Sequence, residues 1–216
     1  KCDLNNMKIA VIGASAGIGL ETVKRALERN HEVTALSRST VEISENPLLR
    51  SITGDALHKN DLARAMHGAD AVIVTLGTRK NMKQTTLFSD FAKLLVEIQK
   101  ESKSKATHLI VTGFGTGESA NYVGWFVKLF LKYFLKDVYA DKAKMEELIS
   151  ESDLHWLIIR PGRLLDEPRT EKYRIETSLY TGINIGAINR SDVADYLIKQ
   201  AEQPSDLMKY SAISQK

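Results

Sequence analysis

Apolar positions fall into short runs along the chain, and two spacings alternate. "MKIAVIG" (7–13) is an almost unbroken apolar run closed by glycine, as expected of a strand covered on both faces. Residues Gly17 to Arg29 instead place Leu20, Val23 and Leu27 at helical intervals. The alternation continues with strands at "HEVTALSR" (31–38), "LRSITGD" (49–55) and "DAVIVTLG" (70–77), and a short helix at "DLARAM" (61–66). A long helix carries Phe88, Phe91, Leu94, Leu95 and Ile98 on one side, and "ATHLIVTG" (106–113) is a fifth strand. The aromatic-rich segment and "DKAKMEELISES" (141–152) make one or two helices, and "LHWLIIRPG" (154–162) is a sixth strand stopped by Pro161 and Gly162. "GINIGAI" (182–188) is expected as a short late strand, and 191–203 as a closing helix with Ser191 at its N-cap.

Strand–helix alternation of this kind predicts an α/β fold. The expected architecture is a Rossmann-type doubly wound parallel sheet with helices on both faces, in a single domain. Residues 1–6 form an N-terminal tail, 7–216 the domain, and about 160–190 a small substrate-side segment. Ligands in such sheets bind beyond the carboxyl ends of the strands. That directs attention to loops 13–19, 37–39, 54–56, 75–80, 112–120 and 160–170.

The first of these loops is Gly13-Ala14-Ser15-Ala16-Gly17-Ile18-Gly19, set between a predicted strand and a predicted helix. Gly13 permits a tight turn, Gly17 lets backbone approach a pyrophosphate, and Gly19 allows close helix–strand packing. Freed N–H groups at the helix start favour an anion. The glycines stand at motif positions one, five and seven, whereas the usual dinucleotide fingerprint has one, three and six.

An NAD-selecting site places a carboxylate at the end of the second strand. Here that place holds Ser37 and Arg38, followed by Ser39. A guanidinium beside hydroxyls suits a ribose 2′-phosphate, so NADP(H) is expected over NAD(H). Asp55 follows the third strand, where it either accepts from an adenine amino group or caps the next helix. The Leu76-Gly77-Thr78-Arg79-Lys80 loop leaves the fourth strand where the cofactor ribose passes.

Residues 7–39, the "GD" after the third strand, "DAVIVTLGTRKNMKQTT", "LHWLIIRPGRLLDEP" and "RSDVADYLI" together resemble the atypical short-chain dehydrogenase/reductase group. More narrowly, they resemble the NmrA-like branch that includes the biliverdin-IXβ/flavin reductases. The resemblance implies an NADP-binding Rossmann domain and hydride transfer from NADPH to a flavin or tetrapyrrole. It places dinucleotide contacts on Gly13, Ser15, Ala16, Gly17, Ile18, Arg38, Asp55, Leu76, Gly77, Thr78 and Arg79, with Pro161 near the nicotinamide. The glycine spacing is instead that of the classical short-chain enzymes. Where the flavin/biliverdin reductases carry a serine after strand five, this chain has Phe114, with Thr112, Thr116 and Ser119 as nearby hydroxyls.

Classical short-chain enzymes use Tyr-x-x-x-Lys, the lysine lowering the tyrosine pKa for proton exchange. None of the seven tyrosines has lysine four residues on. Tyr139 comes nearest, with Lys142 three residues later; the pair and Thr112 are the candidate catalytic residues. Ordinary alcohol–ketone chemistry is therefore disfavoured. Flavin reduction survives, because it asks the protein mainly for stacking and orientation.

Residues 122–138 combine Trp125, Phe126, Leu129, Phe130, Leu131, Phe134 and Leu135 with a stripe of Lys128, Lys132 and Lys136. A helix buried on the sheet, a wall over the nicotinamide, and a dimer or membrane-surface face are all compatible with this pattern. A homo-oligomer through this helix is one expectation. Arg160 and Arg163 flank Pro161-Gly162 and either meet a flavin phosphate or stay in water.

Composition adds exclusions. A net charge of +3 with scattered cations gives no reason to expect nucleic acid as a partner. The five histidines show no ligand spacing, and with the single cysteine, Cys2, no metal site is expected. No run reaches the length of a spanning helix, and cysteine usage fits a reducing compartment, so a cytoplasmic location is expected. The leading expectation is an NADPH-dependent reductase of a flavin or similar planar, conjugated small molecule. The alternatives are a non-catalytic NADP(H)-binding regulator of the NmrA type and, more distantly, a sugar-nucleotide epimerase or dehydratase.

Overall fold

The computed structural model describes residues 6–78, 85–125, 128–129, 133 and 135–216. Strands β1 (Lys8–Ile12), β2 (Glu32–Ser37), β3 (Leu49–Thr53), β4 (Ala71–Val74), β5 (Thr107–Val111) and β6 (His155–Pro161) form the body of one sheet. β10 (Lys209–Gln215) and β8 (Tyr173–Glu176) extend it, giving the order β3-β2-β1-β4-β5-β6-β10-β8. All neighbours pair in parallel except β10 with the edge strand β8. The order reverses between β1 and β4, so the crevice of a doubly wound fold opens there.

Strand side chains alternate between two helical layers, as a period of two requires. Ile9, Val11, Ala35, Ile73, Leu109 and Leu157 face α1 (Gly17–Glu28) and α5 (Arg190–Glu202). Ala10, Ile12, Leu36, Val72, Ile110 and Ile158 face α2 (Lys59–Met66), α3 (Leu87–Ser102) and α4 (Lys136–Ser150). Phe88 and Phe91 of α3 are fully buried, each worth about 1.5–3 kcal/mol of transfer free energy. The fold is thus the Rossmann-type α/β arrangement the pattern predicts.

Several details differ from expectation. The buried stripe of α1 is Ile18, Thr22, Val23 and Ala26, with Leu20 and Leu27 only partly covered. The strand expected at 182–188 is β9 (Ala187–Asn189), pairing with β7 (Arg163–Leu165) as a separate ribbon. β7, β8 and β10 were not foreseen from the pattern. α5 begins at Arg190 behind Asn189; Ser191 does not cap it, because its hydroxyl donates to the Glu167 carbonyl.

Within 122–138, Trp125, Lys128, Leu129 and Tyr133 are helical among the described residues, and 136–138 open α4, in keeping with the one or two helices expected there. A 3₁₀ turn spans Gly117–Asn121, and Leu135 sits in a bend before α4. Phe126, Phe130, Leu131, Lys132 and Phe134 lie outside the described residues, as do Cys2 and Arg79. Among the described residues no helix is long and apolar enough to cross a membrane.

Candidate functional site

β1 ends in a turn that only glycine can make. Gly13 has φ +92°, its N–H donates to the Leu36 carbonyl (2.9 Å), and a Cβ there would lie 2.9 Å from the Thr75 carbonyl oxygen. A Cβ on Gly19 would run into the Gly13 carbonyl, so α1 and β1 can meet only with glycine at that position. Thr75 locks the corner from β4, its hydroxyl donating to the carbonyls of Ile12 (3.1 Å) and Gly13 (3.2 Å).

The start of α1 is left open. Ala16 is its N-cap and offers no side-chain acceptor, and no acidic residue occupies the first turn. The first intrahelical bond runs from Leu20 N–H to the Ala16 carbonyl, so Gly17, Ile18 and Gly19 precede it with their N–H groups directed out of the helix end. Gly17 has φ +56° and carries no side chain over these donors. The cradle therefore fits an anion such as a dinucleotide pyrophosphate.

A cleft of about 420 Å³ extends from this turn along the carboxyl ends of the strands. Of the residues expected at a cofactor site, it is lined by Gly13, Ser15, Ala16, Gly17, Ile18, Ser37, Arg38, Asp55, Leu76, Gly77 and Pro161. Thr78 stands outside its wall, and Arg79 lies outside the described residues. Gly54, Thr75 and Leu164, in loops flagged from the sequence, also line it, as do Leu36, Leu87 and Arg190, which the sequence did not single out.

At one end, Ser37 donates to the Ser39 carbonyl, which fixes the turn after β2 and leaves Arg38 exposed at the rim. Asp55 does not cap α2: it accepts from Leu57 N–H (2.9 Å) in a local turn, and His58 precedes that helix.

At the other end, α4 presents Lys142, whose ammonium donates to the Thr112 carbonyl (2.9 Å). Desolvation brings its pKa down to about 8, against a smaller upward pull from Glu146. Lys142 does not reach the Tyr139 hydroxyl in the manner of a catalytic pair. It lies over the Tyr139 ring, 5.7 Å from the centroid, and burial pushes the phenol up rather than down. Tyr139 itself is absent from the cleft wall, its hydroxyl packed toward Gly113.

Of the hydroxyls after β5, only Thr112 lines the cleft; Thr116 and Ser119 are wholly buried. The Thr112 hydroxyl donates to Glu146 (2.6 Å), which takes a forked pair of bonds from Arg160 (3.1 and 2.8 Å). Arg160 is buried, with its guanidinium 4.2 Å from the Tyr210 ring centroid, so it faces neither water nor a ligand. Arg163 is exposed. None of the described residues of 122–138 lines the cleft, and Phe126, Phe130 and Phe134, expected to help wall it, lie outside the described residues. Trp125 and Leu129 face outward. Among the described residues no cluster could hold a metal ion.

A strand-order reversal opening onto a glycine cradle at a helix start defines a dinucleotide-binding Rossmann protein. The sequence model of the NAD(P)H-binding family matches residues 13–204, and the chain belongs to that family. Similar proteins include YwnB of Bacillus subtilis (strain 168), 27% identical over 179 residues covering 78% of each chain. Among solved structures, SP1627 of Streptococcus pneumoniae TIGR4, named for NADH-flavin reductase, aligns with TM-score 0.78 and 24% identity over 98% of this chain and 100% of its own. ChuY of Escherichia coli O157:H7, an anaerobillin reductase, aligns with TM-score 0.76 and 21% identity over 96% and 97%. At these identities the two structures show a shared fold.

Proposed function

We propose that this protein is an NADPH-dependent reductase acting on a flavin or a similarly flat, conjugated acceptor. The carrying observation is the end of the cleft away from Arg38. Leu87, Val111, Pro161 and Leu164 offer apolar surface there, with Lys142 as the cation among them. An apolar slot with one polar handle suits a planar ring better than a sugar, which needs many hydrogen-bond partners.

The dinucleotide, when bound, supplies the hydride. Gly13, Ser15, Ala16, Gly17 and Ile18 cradle its pyrophosphate, Arg38 takes the 2′-phosphate from the turn that Ser37 holds, and Asp55 with Leu76 and Gly77 borders the adenosine and ribose. Thr112, Lys142 and Pro161 bound the space where the acceptor stacks. Lys142 Nζ, with its pKa near 8, holds a proton inside the cleft and can release it there. Tyr139 takes no part in proton transfer.

A second reading is a non-catalytic NADP(H)-binding regulator. The observation favouring it is the Thr112 hydroxyl, which is spent on the buried Glu146 rather than offered to an acceptor. One experiment separates the two: purified protein, NADPH and FMN, FAD or quinones, followed at the nicotinamide absorbance band. Oxidation well above the uncatalysed rate supports the reductase. Dinucleotide binding without oxidation across the acceptor panel supports the regulator.

A further inference from the structure

We infer that Arg190 is the cation that grips the dinucleotide pyrophosphate, and that Asp166 holds Arg190 in place until the dinucleotide arrives. The inference rests on the dinucleotide reading of the cleft and adds a residue from the far side of it.

α1 and α5 pack side by side and start at the same edge of the sheet, as helices feeding parallel strands must. Arg190 is the first residue of α5, and its side chain crosses to the first turn of α1. A Cβ on Gly17 would lie 3.5 Å from Arg190 Nε and 3.7 Å from its Cδ. The guanidinium therefore stands beside the open N–H groups of Gly17 and Ile18, and it forms part of the cleft wall.

Fold stability does not account for this placement. A cation in the first turn of α5 opposes that helix's own dipole, and here it also faces the positive end of α1. The acidic residue of the same turn, Asp192, is fully buried and spent elsewhere. It accepts from the N–H groups of Thr170 and Glu171 (2.8 Å each), from the Thr170 hydroxyl and from Asn189. Among the described residues, the carboxylate that pairs with Arg190 is Asp166, at 2.7 Å.

That pair is unequal. The Asp166 side chain is 85% exposed and the Arg190 side chain 27%. Exposed pairs of this kind are worth little, so exchanging the carboxylate for a phosphate costs little. A pyrophosphate between Arg190 and the α1 start would relieve two like charges at once, with the guanidinium fork matched to phosphate oxygens. Asp166, released, is already in water. The segment that carries it stays strapped down through Arg169 to Glu28 (2.9 Å) and through the Asp192 bonds.

The test is calorimetric binding of NADPH and NADH to the full chain, with melting curves as a fold control. Arg190→Ala should weaken both dinucleotides by about 10- to 100-fold, since each carries the pyrophosphate. Arg190→Lys should fall between, keeping the charge without the fork. Asp166→Asn, at a position too exposed to disturb folding, should tighten both severalfold by removing the competing carboxylate. An Arg190→Ala protein that binds within twofold of wild type overturns the grip. An Asp166→Asn protein that binds no tighter overturns the holding role, even if Arg190→Ala does not fold. Wild-type protein that binds neither dinucleotide overturns the cofactor reading itself, and the inference falls with it.

Discussion

The Asp141 carboxylate on α4 caps α3: its two oxygens accept from the backbone N–H groups of Phe88 (2.8 Å) and Ser89 (3.2 Å). Thr86, the residue at the N-cap place, makes no such bond with its side chain. One helix thus closes the start of another, and the next residue, Lys142, is delivered to the cleft. Cofactor-side geometry depends on a contact that no ligand touches.

Asp141→Ala should therefore cost stability out of proportion to one surface carboxylate. Two buried donors lose their acceptor, for about 2–3 kcal/mol. Denaturant unfolding of wild type and variant measures it. Asp141→Asn keeps one acceptor oxygen and should lose less.

Glu146 and Arg160 are each 2% exposed, and each is the other's forked partner. Glu146→Ala leaves the buried guanidinium only the longer, exposed pair with Glu118 (3.5 Å) and should destabilise by about 3 kcal/mol. Glu146→Leu combined with Arg160→Met removes both charges and should cost clearly less than the single change. Equal losses would mean that the pair's attraction, rather than the stranded charge, sets the cost.

Lys142 carries a pH signature. Its folded pKa is about 8, below the ordinary 10.5, because desolvation disfavours the ammonium. Between those values the unfolded chain holds a proton that the folded chain has lost. Stability should therefore rise with pH through that window as the buried charge is relieved. Lys142→Met should be more stable than wild type at neutral pH and show no such rise. If the reductase reading holds, the same variant should also lose the change in turnover centred near pH 8.

Arg38→Ala should weaken NADPH binding by about 10- to 100-fold while leaving NADH almost unchanged. Titration of both dinucleotides into both proteins checks this. Equal weakening of the two would contradict a 2′-phosphate role.

Gly19→Ala drives a methyl into the Gly13 carbonyl and toward the Thr75 hydroxyl, both part of the rigid β1–β4 corner. It should lower the melting temperature, with a loss of about 1–3 kcal/mol or more. Gly77→Ala is the control. A Cβ there meets nothing, and the melt should barely move.

The sequence makes some parts of this architecture plain and hides others for physical reasons. β1, β4, β5 and β6 announce themselves because parallel strands covered on both faces are continuously apolar. β10 does not, because Ser211 and Ser214 interrupt it. Both are fully buried, with the Tyr196 hydroxyl near Ser211 and Arg174 donating to Ser214. The glycine turn is local chemistry, so Gly13 and Gly17 could be marked from spacing, while Ile18 is implied by the family resemblance. Arg190 could not be marked so. It meets Gly17 only because α1 and α5 become neighbours across the folded sheet, and no local pattern encodes that meeting. Tyr139 and Lys142 looked like a pair by helical spacing, but the ammonium is drawn to the Thr112 carbonyl on another element.

β8 has a single partner in the sheet, β10, which lies more than thirty residues later in the chain. During synthesis, β1 to β6 can zip together as they emerge, and the glycine turn with them. β8 has nothing to pair with until 209–215 have left the ribosome. The strap between β7 and β8, with Asp166 and Arg169, can tie to Glu28 and Asp192 earlier, but its β8 end is fixed only then. A nascent chain would have its phosphate cradle before it had the latch beside it.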